Sequence, residues 1–348
     1  MPLADIAESV WYGDATSSRV ARALLAPLSS GYARIINMIN ARHDARAVSP
    51  GPIPAISIGN LTVGGTGKTP VSAWFARRFR EAGASPAIVM RGYGEDEMLV
   101  HRFLNPDVPV HANPDRRSGV TRAAELGADI AILDDAFQHR RAARVADIVL
   151  VSADRWTGSA RLLPSGPFRE PLSSLSRATV VLLTVKAAPD ERVEAVARAI
   201  RAQTASTVVT VDLAPASIVA VGTREETALK EWRGRRVMAV SGIGDPMAFQ
   251  LQLEMQGLLL TTLTFADHHE YDAASVARML AAAGSVSAVV CTLKDAVKLE
   301  KLWPSSAVPL WYLSQSVVPR DGTEALDDVV RSVLEARRMT LSSPDLSR

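Results

Sequence analysis

The chain has 348 residues, of which 47% are hydrophobic and 22% charged, and this composition excludes a disordered protein. Its 39 Lys and Arg residues nearly balance 37 Asp and Glu residues, so we expect no nucleic-acid partner. The lone Cys291 excludes an intramolecular disulfide, which fits a reducing compartment. No apolar run reaches the roughly 18 residues of a spanning helix, and the N-terminus, with Asp5 and Glu8, lacks the order of a secretory signal. We therefore expect a cytoplasmic protein that does not cross a membrane.

The first predicted element is a basic amphipathic arm at residues 1–45. Residues 15–43 contain four arginines and no acidic residue, and apolar residues recur among them at helical spacing. Pro27 and Gly31 predict a break between two helices. Such an arm can lie in the headgroup plane of an anionic membrane. It can also pack on the protein's own sheet with its arginines solvated, and the residues alone leave both interpretations open.

Short apolar runs then alternate with helical patterns, which predicts an α/β protein with a doubly wound parallel sheet. In a core of residues 46–215, strands are predicted at 54–59, 86–90, 129–133, 146–152, 179–184 and 206–211, with helices at 69–82, 116–126 and 188–202. A second, smaller α/β domain is predicted over 216–322, with strands at 236–241, 258–265, 286–292 and 308–313 and helices at 246–256 and 272–283. An amphipathic helix near 323–338 fits either domain, and the tail to residue 348 is expected to fray.

The strongest motif is a glycine-rich loop between a predicted strand and a predicted helix. It matches G-x-x-x-x-G-K-[ST] except at its first position, where Thr62 replaces glycine. Glycines let backbone N–H groups turn towards phosphate oxygens, the helix N-terminus adds its dipole, and the lysine and final threonine suit the terminal phosphates and Mg²⁺. The loop therefore predicts a site for a nucleoside triphosphate, formed by Thr62, Val63, Gly64, Gly65, Thr66, Gly67, Lys68 and Thr69.

A second strand ends in two carboxylates, Asp134 and Asp135, at the sheet edge where α/β proteins place their ligands. Together with Thr69 they predict a Mg²⁺ site, although aspartates at a strand end also form turns and helix caps. The sequence does not decide which of the two would bind the metal. It does not select guanine either, because Leu293 in Thr292-Leu-Lys-Asp295 stands where a guanine-reading motif has lysine.

Several blocks together resemble the tetraacyldisaccharide 4′-kinase family. They are ISIGNLTVGGTGKTP (56–70), MRGYG (90–94), DE (96–97), NPDR (113–116), ILDDAFQH (132–139), LLPSGPFREP (162–171), SGIGDP (241–246), FADHH (265–269) and KDAVK (294–298). The resemblance implies transfer of the ATP γ-phosphoryl group to the 4′-hydroxyl of a tetraacylated glucosamine disaccharide 1-phosphate, giving lipid IVA. It also implies that the arm associates with the cytoplasmic face of the bacterial inner membrane as a peripheral, anionic-lipid-binding segment.

The resemblance also implies roles for individual residues. Asp96, just past the strand 86–90, corresponds to the base, Glu97 to a residue that assists at the metal, and His268 to a partner of the base across a domain cleft. The segment Glu95-Asp96-Glu97-Met98 lacks the family's proline after the glutamate, so Glu95 competes for the role of base. A plainer interpretation of residues 94–98 is an acidic surface turn.

Candidate substrate contacts are Arg169 and Glu170, in a loop stiffened by prolines, and Arg91 and Arg116. Arginine suits bidentate phosphate binding, but each of these arginines also fits a salt bridge. An alternative function is a P-loop switch or metallochaperone-like GTPase that acts on a protein partner. The missing guanine motif and the basic apolar arm argue against that alternative.

Overall fold

The computed structural model describes residues 3–44, 48, 50–92 and 95–342. The described helices are α1 (Leu3–Tyr12), α2 (Thr16–Asp44), α3 (Lys68–Glu81), α4 (Glu95–Leu104), α5 (Arg116–Glu125), α6 (Asp190–Arg201), α7 (Pro246–Met255), α8 (Ala273–Ala283), α9 (Leu293–Leu299) and α10 (Thr323–Ser342). The described strands are β1 (Ala55–Asn60), β2 (Pro86–Met90), β3 (Val110–Ala112), β4 (Ile130–Asp134), β5 (Ala146–Ser152), β6 (Val180–Val185), β7 (Thr207–Ala220), β8 (Glu226–Ala228), β9 (Arg236–Ser241), β10 (Leu259–Thr264), β11 (Ala288–Thr292) and β12 (Leu310–Pro319).

All of these strands belong to one sheet with two parallel halves. Strands β3, β2, β4, β1, β5, β6 and β7 form the N-terminal half in that spatial order, and β12, β11, β9 and β10 form the C-terminal half. The halves meet where β12 pairs with β7 in the antiparallel direction. Helices cover both faces of the N-terminal half, so the predicted doubly wound architecture is confirmed there.

The long strands β7 and β12 join the two halves of the sheet. Residues 207–212 of β7 pair with β6, whereas residues 211–220 pair with β12. Because β12 is antiparallel to β7 and starts beside β11, the strands of each half point towards the other half. The carboxyl ends of the two sets of strands therefore face each other across a cleft, and both can contribute loops to one site.

Several predicted boundaries differ from the structure. The short strands β3 and β8 were missed, and β7 and β12 extend well beyond the predicted 206–211 and 308–313. The expected domain boundary at residue 215 falls inside β7, whose backbone hydrogen bonds run continuously from one half to the other. Residues 95–104 form the helix α4 and not a surface turn.

The predicted break in the arm was also wrong, because α2 continues from Thr16 to Asp44 with Pro27 inside it. Proline removes one helical hydrogen bond, but contacts just beyond it anchor the helix. The Ser29 hydroxyl donates to the Leu162 carbonyl at 2.9 Å, and the Tyr32 hydroxyl donates to the Arg169 carbonyl at 3.0 Å. The arm thus packs on the protein, and it still leaves an apolar face exposed at Val20, Leu24, Leu28, Ile35 and Met38.

Packing assigns the last helix to the N-terminal half. Apolar side chains of α10, among them Leu326 and Val333, share a buried cluster with Val71, Phe75 and Phe79 of α3 and with β-strand residues of that half. None of the helices in the described ranges is both long enough and apolar enough to span a membrane.

Candidate active site

The glycine-rich loop connects β1 to α3, and Lys68 is the first residue of the helix. Gly64 and Gly67 have φ values of 107° and 89°, which side-chain-bearing residues rarely adopt, and a Cβ on Gly67 would collide with Leu213. Thr66 is held from two sides: its hydroxyl accepts from the Asn60 amide at 2.8 Å, and its carbonyl accepts from the Thr184 hydroxyl at 2.9 Å. The loop is thereby fixed with its amides around a potential phosphate site.

This loop lies at the bottom of a cavity of about 450 Å³ between the two halves of the sheet. From the N-terminal half the walls include Glu97, Asp135 and Arg169, in addition to the whole loop 62–69. The C-terminal half contributes residues 243–245, His268 and Lys294, which follow β9, β10 and β11. Both sets of strand ends therefore contribute to the same cavity.

Asp135 lies close to the lysine of the phosphate loop. Its carboxylate accepts from both Arg169 nitrogens at 2.9 and 3.3 Å and lies 3.7 Å from the Lys68 ammonium. Burial alone would raise the pKa of Asp135, but the charges of Lys68 and Arg169 outweigh it and hold the pKa well below its usual range. Its φ of 49° is uncommon for a residue other than glycine, so the surrounding contacts maintain this conformation.

Asp134 is more deeply buried than Asp135 and is held by different partners. One carboxylate oxygen lies 2.7 Å from His101 Nε2, and the other accepts from the Asp135 amide at 2.9 Å. The neighbouring Glu97 is partly buried, and burial together with the negative charge of Asp134 raises the pKa of Glu97. Thr69, Glu97, Asp134 and Asp135 all line a side pocket next to Lys68, so oxygen atoms suited to a cation surround one space.

Asp96 is only 5% exposed and faces three groups of the C-terminal half. Its Oδ2 lies 3.4 Å from His268 Nδ1, 3.2 Å from Lys298 Nζ and 3.8 Å from Lys294 Nζ. Burial would raise the pKa of Asp96, but the contact with His268 and the charges of Lys294 and Lys298 hold it well below its usual range. The predicted meeting of Asp96 and His268 across the cleft is therefore present in the structure.

The contacts of His268 define its neutral tautomer. Its Nε2 lies 3.1 Å from Lys294 Nζ, and an ammonium can only donate, so Nε2 accepts and Nδ1 carries the proton towards Asp96. The contact with Asp96 raises the pKa of His268, while burial and Lys294 oppose that rise. His268, in the loop after β10, has a φ of 59°, which is uncommon for a residue other than glycine, so the surrounding contacts maintain this conformation.

The predicted substrate contacts fall into two groups. Arg91, Arg116 and Arg169 line one side pocket next to Lys68, but Arg116 is 2% exposed and donates to the Asn113 and Asp134 carbonyls at 2.9 and 3.3 Å. Arg116 therefore also fixes the end of β4.

Glu170 does not line the cleft among the described residues. It is buried and forms ion pairs with Arg177 at 3.0 Å and Arg140 at 3.6 Å. It also accepts from the Asn40 amide of α2 at 3.1 Å. The competing base Glu95 begins α4, but its side chain lies outside the described residues.

A sequence profile described as tetraacyldisaccharide-1-P 4′-kinase matches the chain in two segments, residues 21–102 and 94–335. The chain belongs to the tetraacyldisaccharide 4′-kinase family. The 4′-kinase of Anaeromyxobacter dehalogenans strain 2CP-C is 39% identical over 284 residues, which cover 73% of this chain and 74% of that protein. The 4′-kinase of Pseudomonas putida strain F1 is 33% identical over 353 residues, covering 94% and 97% of the two chains.

A solved member of the tetraacyldisaccharide 4′-kinase family has the same fold. The crystal structure of Aquifex aeolicus LpxK in complex with ATP superposes with a TM-score of 0.71 at 26% identity, covering 90% of this chain and 99% of that one. The predicted P-loop kinase fold is confirmed. The alternative of a protein-directed GTPase switch is not favoured.

Two functional contacts of this 4′-kinase family member were missed from the sequence. Lys298 follows Lys294 by four residues on α9, a spacing that puts both ammonium groups on one helix face. His101 follows Glu97 by four residues on α4, so the same rule applies. A helix prediction for residues 95–104 would have shown that Glu97 and His101 lie on one helix face. Within the described ranges no three His, Cys, Asp or Glu side chains form a ready metal cluster.

Proposed function

We propose that the protein transfers the γ-phosphoryl group of ATP to the 4′-hydroxyl of tetraacyldisaccharide 1-phosphate and so forms lipid IVA. The observation that carries this proposal is the meeting of a phosphate loop with the Asp96–His268 pair in one cleft. Membership of the 4′-kinase family supplies the lipid disaccharide as the acceptor. The phosphate-loop side of the cleft would then bind the phosphoryl donor, and the Asp96–His268 side would deprotonate the hydroxyl of the acceptor.

On the donor side, the loop amides bind the triphosphate and Lys68 stabilises charge on the transferring group. Mg²⁺ would be held by Thr69 with Glu97, Asp134 and Asp135, which offer the oxygen ligands that this ion prefers. These four residues line the same side pocket, and burial together with the negative charge of Asp134 raises the pKa of Glu97, which supports a cation at that place. When bound, Mg²⁺ would neutralise negative charge on the phosphates. Few protein ligands are needed, because phosphate oxygens and waters would complete the coordination shell of the ion.

On the acceptor side, Asp96 is the proposed base, with His268 as the group that orients it. The low pKa of Asp96 makes it a weak base in the resting site. In a loose transition state the hydroxyl loses its proton late, so a positioned carboxylate still contributes by directing the hydroxyl towards the phosphorus. Arg91, Arg116 and Arg169 are the proposed phosphate contacts, and Glu170 orients Arg177 and the loop that carries Arg169.

The arm at residues 1–45 is the proposed membrane contact on the cytoplasmic face of the inner membrane. The exposed apolar face of α2 supports this location, because Leu24 and Leu28 are 74% and 62% exposed. Arginines of the same helix suit anionic lipid headgroups. We retain the division into this arm, a phosphate-loop core (46–215), a smaller unit (216–322) and a C-terminal helix and tail (323–348) as part of the proposal.

The reaction is tested by incubating the protein with γ-labelled ATP and the lipid disaccharide 1-phosphate in mixed micelles, and by determining the product mass. We expect one phosphate to be added to the lipid, and GTP to be a poorer donor. A soluble glucosamine disaccharide without acyl chains serves as the control acceptor. GTP hydrolysis without a phosphorylated lipid would instead support the switch, and equal use of the soluble sugar would support a soluble-sugar kinase.

The membrane contact is tested by deleting residues 1–40 and, separately, by replacing Leu24, Leu28 and Ile35 with glutamine. Both variants should move from membrane to soluble fractions, because the apolar face that would enter the lipid is removed or made polar. Leu126→Gln, at a residue that is 52% exposed at the end of α5 and outside the arm, is the matched control. Unchanged fractionation of the deletion would show that the arm only packs on the protein.

A further inference from the structure

Arg155 lies in the loop after β5 and joins three separate parts of the molecule. Its guanidinium donates to the Glu8 carboxylate of α1 and to the Gly244 carbonyl in the loop after β9. The same group lies over the Tyr12 ring, 3.9 Å from the ring centroid. The side chain is only 11% exposed. One arginine therefore connects the N-terminal arm to the C-terminal half of the sheet.

Arg155 also lies against the phosphate loop. A Cβ built on Gly64 would be 3.6 Å from Arg155 Nε, and this buried nitrogen has no hydrogen-bond partner in the described part of the chain. Burial alone would lower the pKa of Arg155, but its contacts with Tyr12 and Glu8 and the negative charge of Asp245 raise it. The cation is thus held firmly in its charged form at the edge of the nucleotide cavity.

Gly244, the backbone partner of Arg155, covers the phosphate loop. A Cβ built on Gly244 would lie 3.8 Å from the Gly65 amide and 3.1 Å from Asp267. Residues 243–245 are part of the cavity wall. The bond from Arg155 to the Gly244 carbonyl therefore fixes this covering loop at the place where phosphates would bind, and the other contacts of the same guanidinium depend on α1.

We infer that Arg155 is a positioning residue that couples the docking of α1 to the closure of the loop 242–245 over the phosphate loop. The nucleotide is bound more tightly when the arm is docked, because the arm holds Arg155 in the orientation that keeps the loop 242–245 over the phosphate loop. The coupling concerns nucleotide binding and does not depend on the identity of the acceptor. It makes the arm part of the nucleotide site, in addition to any contact with lipid.

The guanidinium is suited to this role for a geometric reason. Its planar fork gives separate nitrogens to Glu8 and Gly244 while its face stays on the Tyr12 ring. A lysine ammonium is one point charge and cannot make the three contacts together. Arg155→Lys therefore keeps the charge and removes the bridge, which separates positioning from general electrostatics.

The test measures binding of a non-hydrolysed ATP analogue to the full chain by calorimetry. Arg155→Lys and Tyr12→Leu should each raise the dissociation constant about tenfold, and the double variant should be no weaker than the single ones, because both changes break one connection. Arg192→Lys is the matched control: Arg192 donates to the Ala153, Asp154 and Trp156 carbonyls of the same loop, and none of these hydrogen bonds within the described residues goes to α1 or Gly244. It should stay within about twofold of the parent protein.

The kinetic readout separates positioning from catalysis. For Arg155→Lys, KM for ATP should rise while kcat at saturating ATP stays nearly unchanged. A fall in kcat with unchanged KM, or an equal effect of Arg192→Lys, would overturn the proposal. Should Tyr12→Leu fail to fold, Glu8→Gln replaces it, since it removes the charge and keeps the size of the side chain.

A distance measurement tests directly whether Arg155 holds the loop 242–245 closed over the phosphate loop. Spin labels at Leu126→Cys and Met247→Cys report on the two halves, since these positions are 52% and 60% exposed and the native Cys291 is buried. With the ATP analogue, the parent protein should give a narrower distance distribution than Arg155→Lys. Identical distributions for the two proteins would overturn the proposal.

Discussion

The two edges of the cleft are built in different ways. The N-terminal edge carries the phosphate loop and Asp134 and Asp135, which are short contiguous motifs at strand ends. The facing edge contributes His268, Lys294 and Lys298 from separate loops and a short helix. Among these three residues only His268 was given a role from the sequence, through the resemblance of residues 265–269 to the family. The structure places all three around Asp96.

The two edges of the cleft have different chemical tasks, namely binding of a polyanion and control of a carboxylate. The N-terminal edge binds a polyanion by backbone amides and one lysine, and this function needs only a local loop conformation. The other edge controls a carboxylate on the opposite half, and this function needs the halves to be held together. Substitutions at the first edge should therefore reduce activity in any arrangement of the halves. Substitutions at the second should act through the contact between them.

The largest expected effect is at the first edge. Lys68→Ala should reduce turnover about 10³-fold or more, because it removes the positive charge at the transferring phosphate. Steady-state kinetics with the lipid acceptor would measure this loss. Circular dichroism should show an unchanged fold, since the side chain is not part of the core. A variant that keeps near-normal turnover would remove the phosphate loop from the mechanism.

Asp96→Asn should reduce turnover about 10²- to 10³-fold with little change in ATP affinity. The amide keeps the size of the side chain but cannot accept the proton. Glu95→Gln is the matched control, and single-turnover kinetics on both variants would separate the two carboxylates. A mild effect at Asp96 with a large one at Glu95 would move the base by one residue.

His101→Ala should raise the Mg²⁺ concentration needed for half-maximal activity by about 10- to 100-fold. The His101 Nε2 atom lies 2.7 Å from the Asp134 carboxylate and orients it. Loss of the imidazole would leave this proposed metal ligand without a fixed orientation. Binding of Mn²⁺, measured by electron paramagnetic resonance in the presence of ATP, gives a readout apart from turnover. His111→Ala, in β3 of the same half, should leave this binding unchanged. Equal Mn²⁺ affinity for both variants would make His101 a packing residue only.

The smallest expected effect is a pH-dependent change of stability at the second edge. Because the pKa of His268 is raised in the folded state, its contribution is complete below about pH 6.5 and is lost as the pH rises through the raised value. His268→Asn should therefore lower the melting temperature more at about pH 5.5 than at about pH 9.

His139→Asn provides a control of opposite sign for this measurement. Burial, followed by the charge of Arg116, lowers the pKa of His139. The native histidine therefore costs stability as the pH falls, and replacing it should be tolerated better at about pH 5.5 than at about pH 9. The same trend for both variants would show that the difference reports general acid sensitivity and not these two sites.

The sequence alone determined the local parts of this protein. The phosphate loop, the strands of the parallel sheet and the carboxylates after β4 follow from contiguous patterns of apolar residues, glycines and aspartates. The pairing of Asp96 with His268 came from resemblance to the family, since the two residues are 172 positions apart and no spacing rule connects them.

Only the tertiary structure decided the rest. The antiparallel pairing of β7 with β12 turns two sets of strands towards each other, and this pairing depends on backbone hydrogen bonds between segments about 100 residues apart. From it follow the ammonium groups around Asp96 and the position of Arg155 between α1 and Gly244. The His101–Asp134 contact, which anchors α4 to β4, is set by packing within the N-terminal half. Such contacts are set by packing of distant segments, and packing has no signature within any one segment.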